Sequence, residues 1–152
     1  MILRFRDYLW TNESYTSNNI MLFEDYNVTM TRLQDAIKNK FVCVIFYKVE
    51  NKLGFLAGHQ RVIEPYAIGV SRTGNIVVRA WLQRGASKTG QKDHSLVPGW
   101  RLYRLDRITA ISTSLQKFEV PRKGYNPEDK GMSEVMVSAQ FDETKPKSSG
   151  IL

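Results

Sequence analysis

The chain has few of the residues that disulfides and metal sites require. Its 152 residues include one cysteine, Cys43, and two histidines, His59 and His94. A single cysteine excludes an intrachain disulfide, so we expect a cytoplasmic protein in a reducing compartment. The histidines lie in unrelated sequence contexts, so we expect no metal site. Cys43 lies in an apolar run, which predicts a small buried side chain, with a catalytic thiol as the minor alternative.

Motifs for common enzyme chemistry are also missing. The sequence contains no Walker-type phosphate loop and no Gly-x-Ser-x-Gly nucleophile elbow. It has no apolar segment long enough to cross a membrane, and its first residues lack a secretory apolar core. We therefore expect a protein that is not an enzyme, binds no cofactor and does not associate with a membrane.

Acidic residues are scarce relative to basic ones. The 22 Lys and Arg against 15 Asp and Glu give a formal net charge of +7. Residues 54–107 hold nine basic and three acidic residues, so nearly all of the excess lies there. A positive excess concentrated in one region favours an anionic partner such as nucleic acid.

The pattern along the chain predicts a short helix followed by five strands. Residues 29–39 place Met30, Leu33 and Ile37 at helical spacing. Strands are predicted over residues 42–49, 60–71, 76–84, 100–105 and 107–114, with turns at 51–54 and 73–75. This order is typical of a mainly β fold, a small five-stranded barrel of the SH3 or Sm class.

We expect three regions. Residues 1–28 form an N-terminal arm with a loop over 11–19, residues 29–116 form the barrel, and residues 117–152 form a C-terminal extension whose end is disordered. A long polar loop is predicted over residues 85–98. A further strand over residues 135–141 is expected to pair with a barrel edge or with a partner protein.

The third and fourth strands each alternate between an apolar side and a basic or aromatic side. In the third strand the apolar side consists of Ile76, Val78, Ala80 and Leu82. In the fourth strand it consists of Trp100 and Leu102. Successive side chains of a strand point to opposite faces, so we expect both apolar sides in the core.

The residues of opposite parity predict a binding surface on the outer face. If the two strands pair, these residues form one patch: Arg79, Trp81, Arg101 and Tyr103, with Arg84 and Arg104 at its margins. Guanidinium groups hold phosphates and aromatic rings stack on bases, which favours single-stranded nucleic acid. In the alternative interpretations, Trp81 or Tyr103 covers the core, and Asp106 and Arg107 form a structural ion pair.

Segments spread over residues 33–111 match one family pattern in order. They are Leu33-x-x-Ala36-Ile37, Val44-x-Phe46-Tyr47, Arg61-Val62-Ile63-Glu64-Pro65-Tyr66-x-Ile68 and Arg101-Leu102-Tyr103-Arg104-Leu105-Asp106-Arg107-Ile108. The pattern resembles the WYL domain, an Sm/SH3-like barrel known chiefly as a ligand-sensing module of bacterial and phage regulators. The resemblance implies that basic residues of the barrel bind nucleic acid or a nucleotide-like ligand, with these roles carried by Arg61, Arg101, Arg104 and Arg107.

The chain departs from the family in two places. The tripeptide that names the family falls at Ile76-Val77-Val78, so its aromatic residues are absent, and Trp81 partly replaces them. Family regulators usually carry a winged helix-turn-helix before the barrel, and about thirty residues precede it here. A stand-alone transcription factor is therefore not expected, and a compact single module suits a phage or mobile element.

Two hypotheses of function follow. In the first, a non-enzymatic regulatory module binds single-stranded DNA or RNA, or a nucleotide, through Arg61, Arg79, Trp81, Arg84, Arg101, Tyr103, Arg104 and Arg107. In the second, the chain is an accessory subunit or inhibitor that modulates a larger enzyme, and residues 135–141 add a strand to the partner. A homo-oligomer is an open alternative in both.

Overall fold

The computed structural model describes residues 17–50, 56–85 and 96–142. The elements in chain order are helix α1 (Ser17–Asn39), β1 (Phe41–Glu50), β2 (Leu56–Ser71), β3 (Ile76–Gly85), β4 (Gly99–Arg104), a short 3-10 helix (Leu105–Arg107), β5 (Ile108–Lys117) and β6 (Met132–Ser138). The prediction of a mainly β fold is confirmed. The predictions for residues 1–16, 51–55, 86–95 and 143–152 lie outside the described residues.

Helix α1 is longer than the short helix that the sequence predicts. It spans 23 residues and begins at Ser17, so the predicted loop is wrong at its end. The first half of the helix contains asparagines, which have low helix propensity, so the sequence does not predict a helix there. The second half buries Met30, Leu33 and Ile37 in the core, as their spacing predicts. Within the described residues, no helix has the length and apolar character needed to cross a membrane.

The strands form one antiparallel sheet with the order β4-β3-β2-β1-β5, and β6 pairs with β2 off this path. Within the described residues β4 and β5 do not pair, so the sheet is open and has six strands where the sequence predicts a five-stranded barrel. The 3-10 helix between them buries Leu105 in the core and contacts both β1 and β3, and beyond it β5 pairs with β1, at the opposite end of the sheet from β4.

Pro65 marks the point where β2 changes partner. The ladder between β2 and β1 reaches Ile63, and the ladder between β2 and β6 begins at Ala67. Proline has no backbone N–H to donate, so within sheets it occurs at edges and irregularities of this kind. The register between β2 and β3 also shifts between Pro65 and Ala67. Consequently β1 pairs with the first part of β2, and β6 pairs with its second part.

The predicted C-terminal strand exists as β6, three residues earlier than expected at each end. It pairs with β2 of its own chain, as the alternative of pairing with an edge of the fold predicts. Just beyond it, the Ala139 N–H donates to the Tyr66 carbonyl at 2.7 Å. The segment between β5 and residue 142 is therefore attached to the sheet by backbone hydrogen bonds.

An aromatic group centred on Tyr66 packs this segment against the sheet. Tyr66 is fully buried. Its ring contacts, at centroid distances of 4.8–5.8 Å, Trp100, Phe118, Tyr125 and Phe141. Such ring pairs add favourable energy beyond the area they bury. Residues 118–142 thus contribute three rings to the core of the protein.

A buried carboxylate lies beside this aromatic group. Glu64 is 2% exposed, and its oxygens accept hydrogen bonds from the Tyr66 hydroxyl at 3.2 Å, from Gln83 Nε2 at 2.9 Å and from Arg122. The Arg122 guanidinium donates through Nη2 at 2.8 Å and through Nε at 3.0 Å, and it lies 5.3 Å from the Trp81 ring centroid. Burial of a charge is costly unless the charge is paired and hydrogen-bonded, and both conditions hold here.

Cys43 lies in the core, as the sequence predicts. Burial raises the pKa of its thiol to about 12. The thiolate is the nucleophilic form of cysteine, and at neutral pH this thiol stays protonated. The geometry therefore supports packing rather than covalent chemistry at this residue.

Replacement of Arg122 by methionine should lower the free energy of unfolding by about 2 kcal/mol, because it leaves the buried Glu64 carboxylate without its charged partner. This is below the loss for a fully buried pair, since the Arg122 side chain is 45% exposed. The double variant Arg122→Met/Glu64→Gln should recover part of the loss. Urea unfolding followed by circular dichroism measures these differences.

The matched control is Arg104→Met, which breaks an ion pair whose two side chains are 38% and 54% exposed. It should change the midpoint of urea unfolding much less than Arg122→Met, because water screens that pair. Equal losses for Arg122→Met and Arg104→Met would show that the Glu64 pair does not hold the C-terminal segment in place.

Candidate anion-binding site

The structure divides the predicted basic and aromatic patch between two faces of the sheet. In the ladder between β3 and β4, Trp81 lies opposite Trp100, whereas Val78 lies opposite Tyr103. Residues opposite one another in an antiparallel pair share a face. Arg101 and Tyr103 therefore lie on the face of the aliphatic core residues, away from Trp81. The prediction that all four patch residues point outward together is wrong.

The alternation of side chains in β4 does not show which side faces the core, because other residues cover both sides of this strand. Tyr103 is 5% exposed and belongs to the main core. On the other side, Trp100 packs against Trp81 with ring centroids 5.5 Å apart, and its Nε1 donates to the Lys123 carbonyl at 2.9 Å. Leu102 packs against a second apolar cluster that contains Met132. Alternation identifies the core side of a strand only when one side faces water.

Arg79 and Trp81 are engaged by the C-terminal segment. The Arg79 guanidinium donates to both carboxylate oxygens of Asp129, at 2.5 and 3.0 Å. This contact lowers the pKa of the Asp129 carboxyl. Trp81 lies between Trp100 and the Arg122 guanidinium. The charge of Arg79 is thus neutralised within the chain, and the Trp81 ring is partly covered.

Four side chains on the opposite face form what we call the arginine–tyrosine cluster: Tyr47, Arg61, Arg101 and Tyr103. Arg61, in β2, is 5% exposed. Burial lowers the pKa of its guanidinium, Tyr103 and Tyr47 raise it, and Arg101 lowers it again. The arginines are therefore near enough to repel one another, with the tyrosines beside them.

The Tyr103 hydroxyl is the unusual group of this cluster. Its ring packs edge-on against Tyr47, with centroids 4.9 Å apart, and the Tyr47 hydroxyl accepts a hydrogen bond from the Arg104 N–H at 3.2 Å. The Tyr103 hydroxyl is buried, and its proton has no acceptor of ordinary geometry within the described residues; the Arg61 guanidinium interacts with its oxygen. Burial raises the pKa of this hydroxyl, and the charges of Arg61 and Arg101 oppose that rise.

Arg101 connects the cluster to solvent, since its side chain is only partly buried. Its Nη1 donates to the Trp100 carbonyl at 2.9 Å and its Nη2 to the Val97 carbonyl at 2.7 Å. Carbonyl oxygens orient a guanidinium without cancelling its charge. The ion pairs of the described residues do not include Arg101. This end of the cluster therefore stays positively charged and accessible, which favours an anion.

The remaining predicted arginines lie outside the cluster. Arg104 holds both carboxylate oxygens of Asp106, at 3.0 and 2.5 Å. The ion pair expected between Asp106 and Arg107 is therefore wrong in its basic partner. Arg84, at the end of β3, is exposed, and Arg107 is partly exposed in the 3-10 helix. Neither forms an ion pair with another described residue.

Sequence reasoning missed Tyr47 as part of the candidate site. It appears in the family-like segment of the first strand, where it counted only as a strand residue. In the structure it lies opposite His59 in the ladder between β1 and β2. The signal that could have identified Tyr47 is the pairing of the first two strands, because this pairing puts Tyr47 on the same face as Arg61.

Replacement of Tyr103 by phenylalanine should leave the fold intact and raise the midpoint of thermal unfolding slightly. The substitution removes a buried hydroxyl whose proton has no acceptor among the described residues, and the interaction of its oxygen with Arg61 keeps the gain small. Differential scanning calorimetry of both proteins measures the change. A lower midpoint would mean that the hydroxyl is satisfied in the free protein, contrary to this account. Tyr47→Phe is the matched control and should lower the midpoint, since the Tyr47 hydroxyl accepts a hydrogen bond.

The chain has limited similarity to known proteins. No protein-family model matches the chain, and no curated protein matches it. Among solved structures, the chain is similar to Proteasome accessory factor B/C (PafBC) of Arthrobacter aurescens, with 23% sequence identity and a TM-score of 0.46. The similarity covers 64% of this chain and 13% of that one, so the chain spans a small part of that protein's length.

Proposed function

We propose that the chain is a non-enzymatic, WYL-like regulatory module that binds the phosphate of a single-stranded nucleic acid or nucleotide at the arginine–tyrosine cluster. One observation carries this proposal. The positively charged Arg61 and Arg101 flank the Tyr103 hydroxyl, a buried donor that lacks an acceptor. A site with fixed positive charge and an unused donor is suited to an anionic oxygen.

A phosphate would offset the unfavourable features of the free site. Its negative charge would oppose the repulsion between Arg61 and Arg101, and one of its oxygens would accept from Tyr103. Arg101 is held by two carbonyls, so little side-chain freedom is lost when a ligand binds. The donors are in place before the ligand arrives.

The surrounding charge supports the same ligand class. The net charge of +7 is concentrated in the part of the chain that contributes the cluster. Arg84 and Arg107 have no ion pair among the described residues, which leaves them available for further phosphates. Neutralisation of phosphates by several arginines makes affinity fall as salt rises.

Two earlier expectations are not part of this proposal. Base stacking on Trp81 is omitted because Trp100 and Arg122 pack against that ring. The accessory-subunit hypothesis uses residues 135–141 to add a strand to a partner, and in the structure β6 pairs with β2 along one of its edges.

Arg101→Ala should weaken binding of a fluorescein-labelled single-stranded oligonucleotide about tenfold, the effect expected for loss of one charge-assisted hydrogen-bonding group. Fluorescence anisotropy at 50 and 200 mM salt should also show a shallower salt dependence for this variant. The labelled strands are DNA and RNA, with an unlabelled nucleotide as competitor.

Arg72→Ala is the matched control for charge. Arg72 is an exposed arginine at the β2–β3 turn whose Nε donates to the Lys130 carbonyl at 2.8 Å. Its loss should change affinity far less than the loss of Arg101. Equal effects of the two substitutions, or no binding of any strand or nucleotide at 50 mM salt, would contradict the proposed site.

A further inference from the structure

Both buried polar side-chain atoms that lack a hydrogen bond within the described residues lie on one face of the sheet. They are Tyr103 Oη and His59 Nε2. His59 lies opposite Tyr47 in the ladder between β1 and β2, and Tyr47 contacts the Tyr103 ring. His59 and Arg61 are two residues apart in the same strand, so their side chains point to the same face. The two unsatisfied polar atoms of the described residues therefore lie on the face of the sheet that carries the arginine–tyrosine cluster.

The depth of these groups restricts the shape of a ligand. Arg61 and Tyr103 are each 5% exposed, whereas Arg101 is only partly buried. An internal phosphodiester carries a nucleoside on each of two ester oxygens, so the chain must both enter and leave the site. A terminal phosphate is attached through one ester bond, so it needs access from one side only, and Arg101 is the partly exposed member of the cluster.

The number of donors also matches a terminal phosphate. Such a group carries three non-bridging oxygens and a charge near −2 at neutral pH, whereas an internal phosphodiester carries two and a charge of −1. The cluster holds two guanidinium groups and the Tyr103 hydroxyl, and Nη1 of Arg61 also donates to the Gln60 carbonyl at 3.2 Å. His59 Nε2 adds a further donor in the tautomer that places the proton on it. An internal phosphodiester would leave part of this set unused.

We propose that the cluster recognises a terminal phosphate, at the end of a nucleic-acid strand or on a nucleoside monophosphate, in preference to an internal phosphodiester. This inference rests on the proposed function, because it identifies the part of the ligand that enters the same site. Arg84 and Arg107 then contact phosphates further along a strand, outside the cluster.

The test compares four decathymidylate probes of equal length with the full chain. One carries a 5′-phosphate, one carries a 3′-phosphate, one ends in hydroxyl groups and one is a closed circle. Competition anisotropy should show that at least one phosphorylated strand binds about tenfold more tightly than the hydroxyl-ended strand, as expected for added charge-assisted hydrogen bonds. The circle should bind no more tightly than the hydroxyl-ended strand.

Thymidine monophosphate and thymidine distinguish the two sources of the phosphate. Displacement of the preferred strand by the monophosphate, but not by thymidine, would show that a free nucleotide is a sufficient ligand. Failure of the monophosphate to compete, with the preference for the phosphorylated strand retained, would assign the phosphate to a strand end. Either result supports terminal recognition.

Variants tie the preference to the cluster. Tyr103→Phe should reduce the preference for the phosphorylated strand several-fold, because the inserted terminal phosphate reaches that hydroxyl. Arg72→Ala, which removes a charge outside the cluster, should retain the full preference. Circular dichroism of each variant establishes that it is folded. An undiminished preference in folded Tyr103→Phe would overturn the assignment to this site.

Equal affinity for all four probes would overturn terminal recognition. If Arg101→Ala still weakened that uniform binding, the proposed function would stand and only the end-on ligand would be wrong. Absence of binding by every probe and by the monophosphate would overturn the proposed function together with this inference.

Discussion

The carboxylate of Glu64 is the constraint on which the arrangement of the sheet depends. Its charge is almost fully buried, and its hydrogen bonds with Tyr66, Gln83 and Arg122 offset the cost of removing it from water. Arg122 belongs to the segment after β5, so the same interaction holds that segment against β2 and β3. The segment in turn covers Trp81, whose ring faces the Arg122 guanidinium. The face of the sheet that carries Trp81 is therefore covered by this segment.

Because the C-terminal segment covers the face that carries Trp81, an arginine on that face is paired within the chain, whereas Arg101 on the other face forms no ion pair among the described residues. Arg79 meets the same segment and is neutralised by Asp129. Arg61 and Arg101 lie on the opposite face, beside the Tyr103 hydroxyl, whose proton has no acceptor within the described residues. Native structures satisfy nearly all of their buried polar groups, so an exception beside two positive charges favours a binding role. The charge that the sequence concentrates in one region is therefore only partly available to a ligand.

Local features of the fold were predictable from the sequence, and features that depend on distant contacts were not. The helical spacing of Met30, Leu33 and Ile37 and the alternation in the strands are set by neighbouring residues, and the structure contains both. Parity does not orient Tyr103, because residues of the segment 118–142 cover the Trp100 side of β4 and the main core lies on the other side. The family-like segments already pointed to Arg61 and Arg101, but only the pairing of β1 with β2 places Tyr47 beside them.

The central claim is that the ligand binds on the face of Arg101 and Tyr103 and not on the face of Arg79 and Trp81. Nuclear magnetic resonance of the nitrogen-15-labelled chain, titrated with a 5′-phosphorylated single strand, tests it most directly. The account predicts that the Arg101 Nε–H and Tyr103 amide resonances shift progressively while the Arg79 Nε–H and Trp81 indole resonances stay in place. The largest shifts at Arg79 and Trp81, with Arg101 and Tyr103 unchanged, would contradict it.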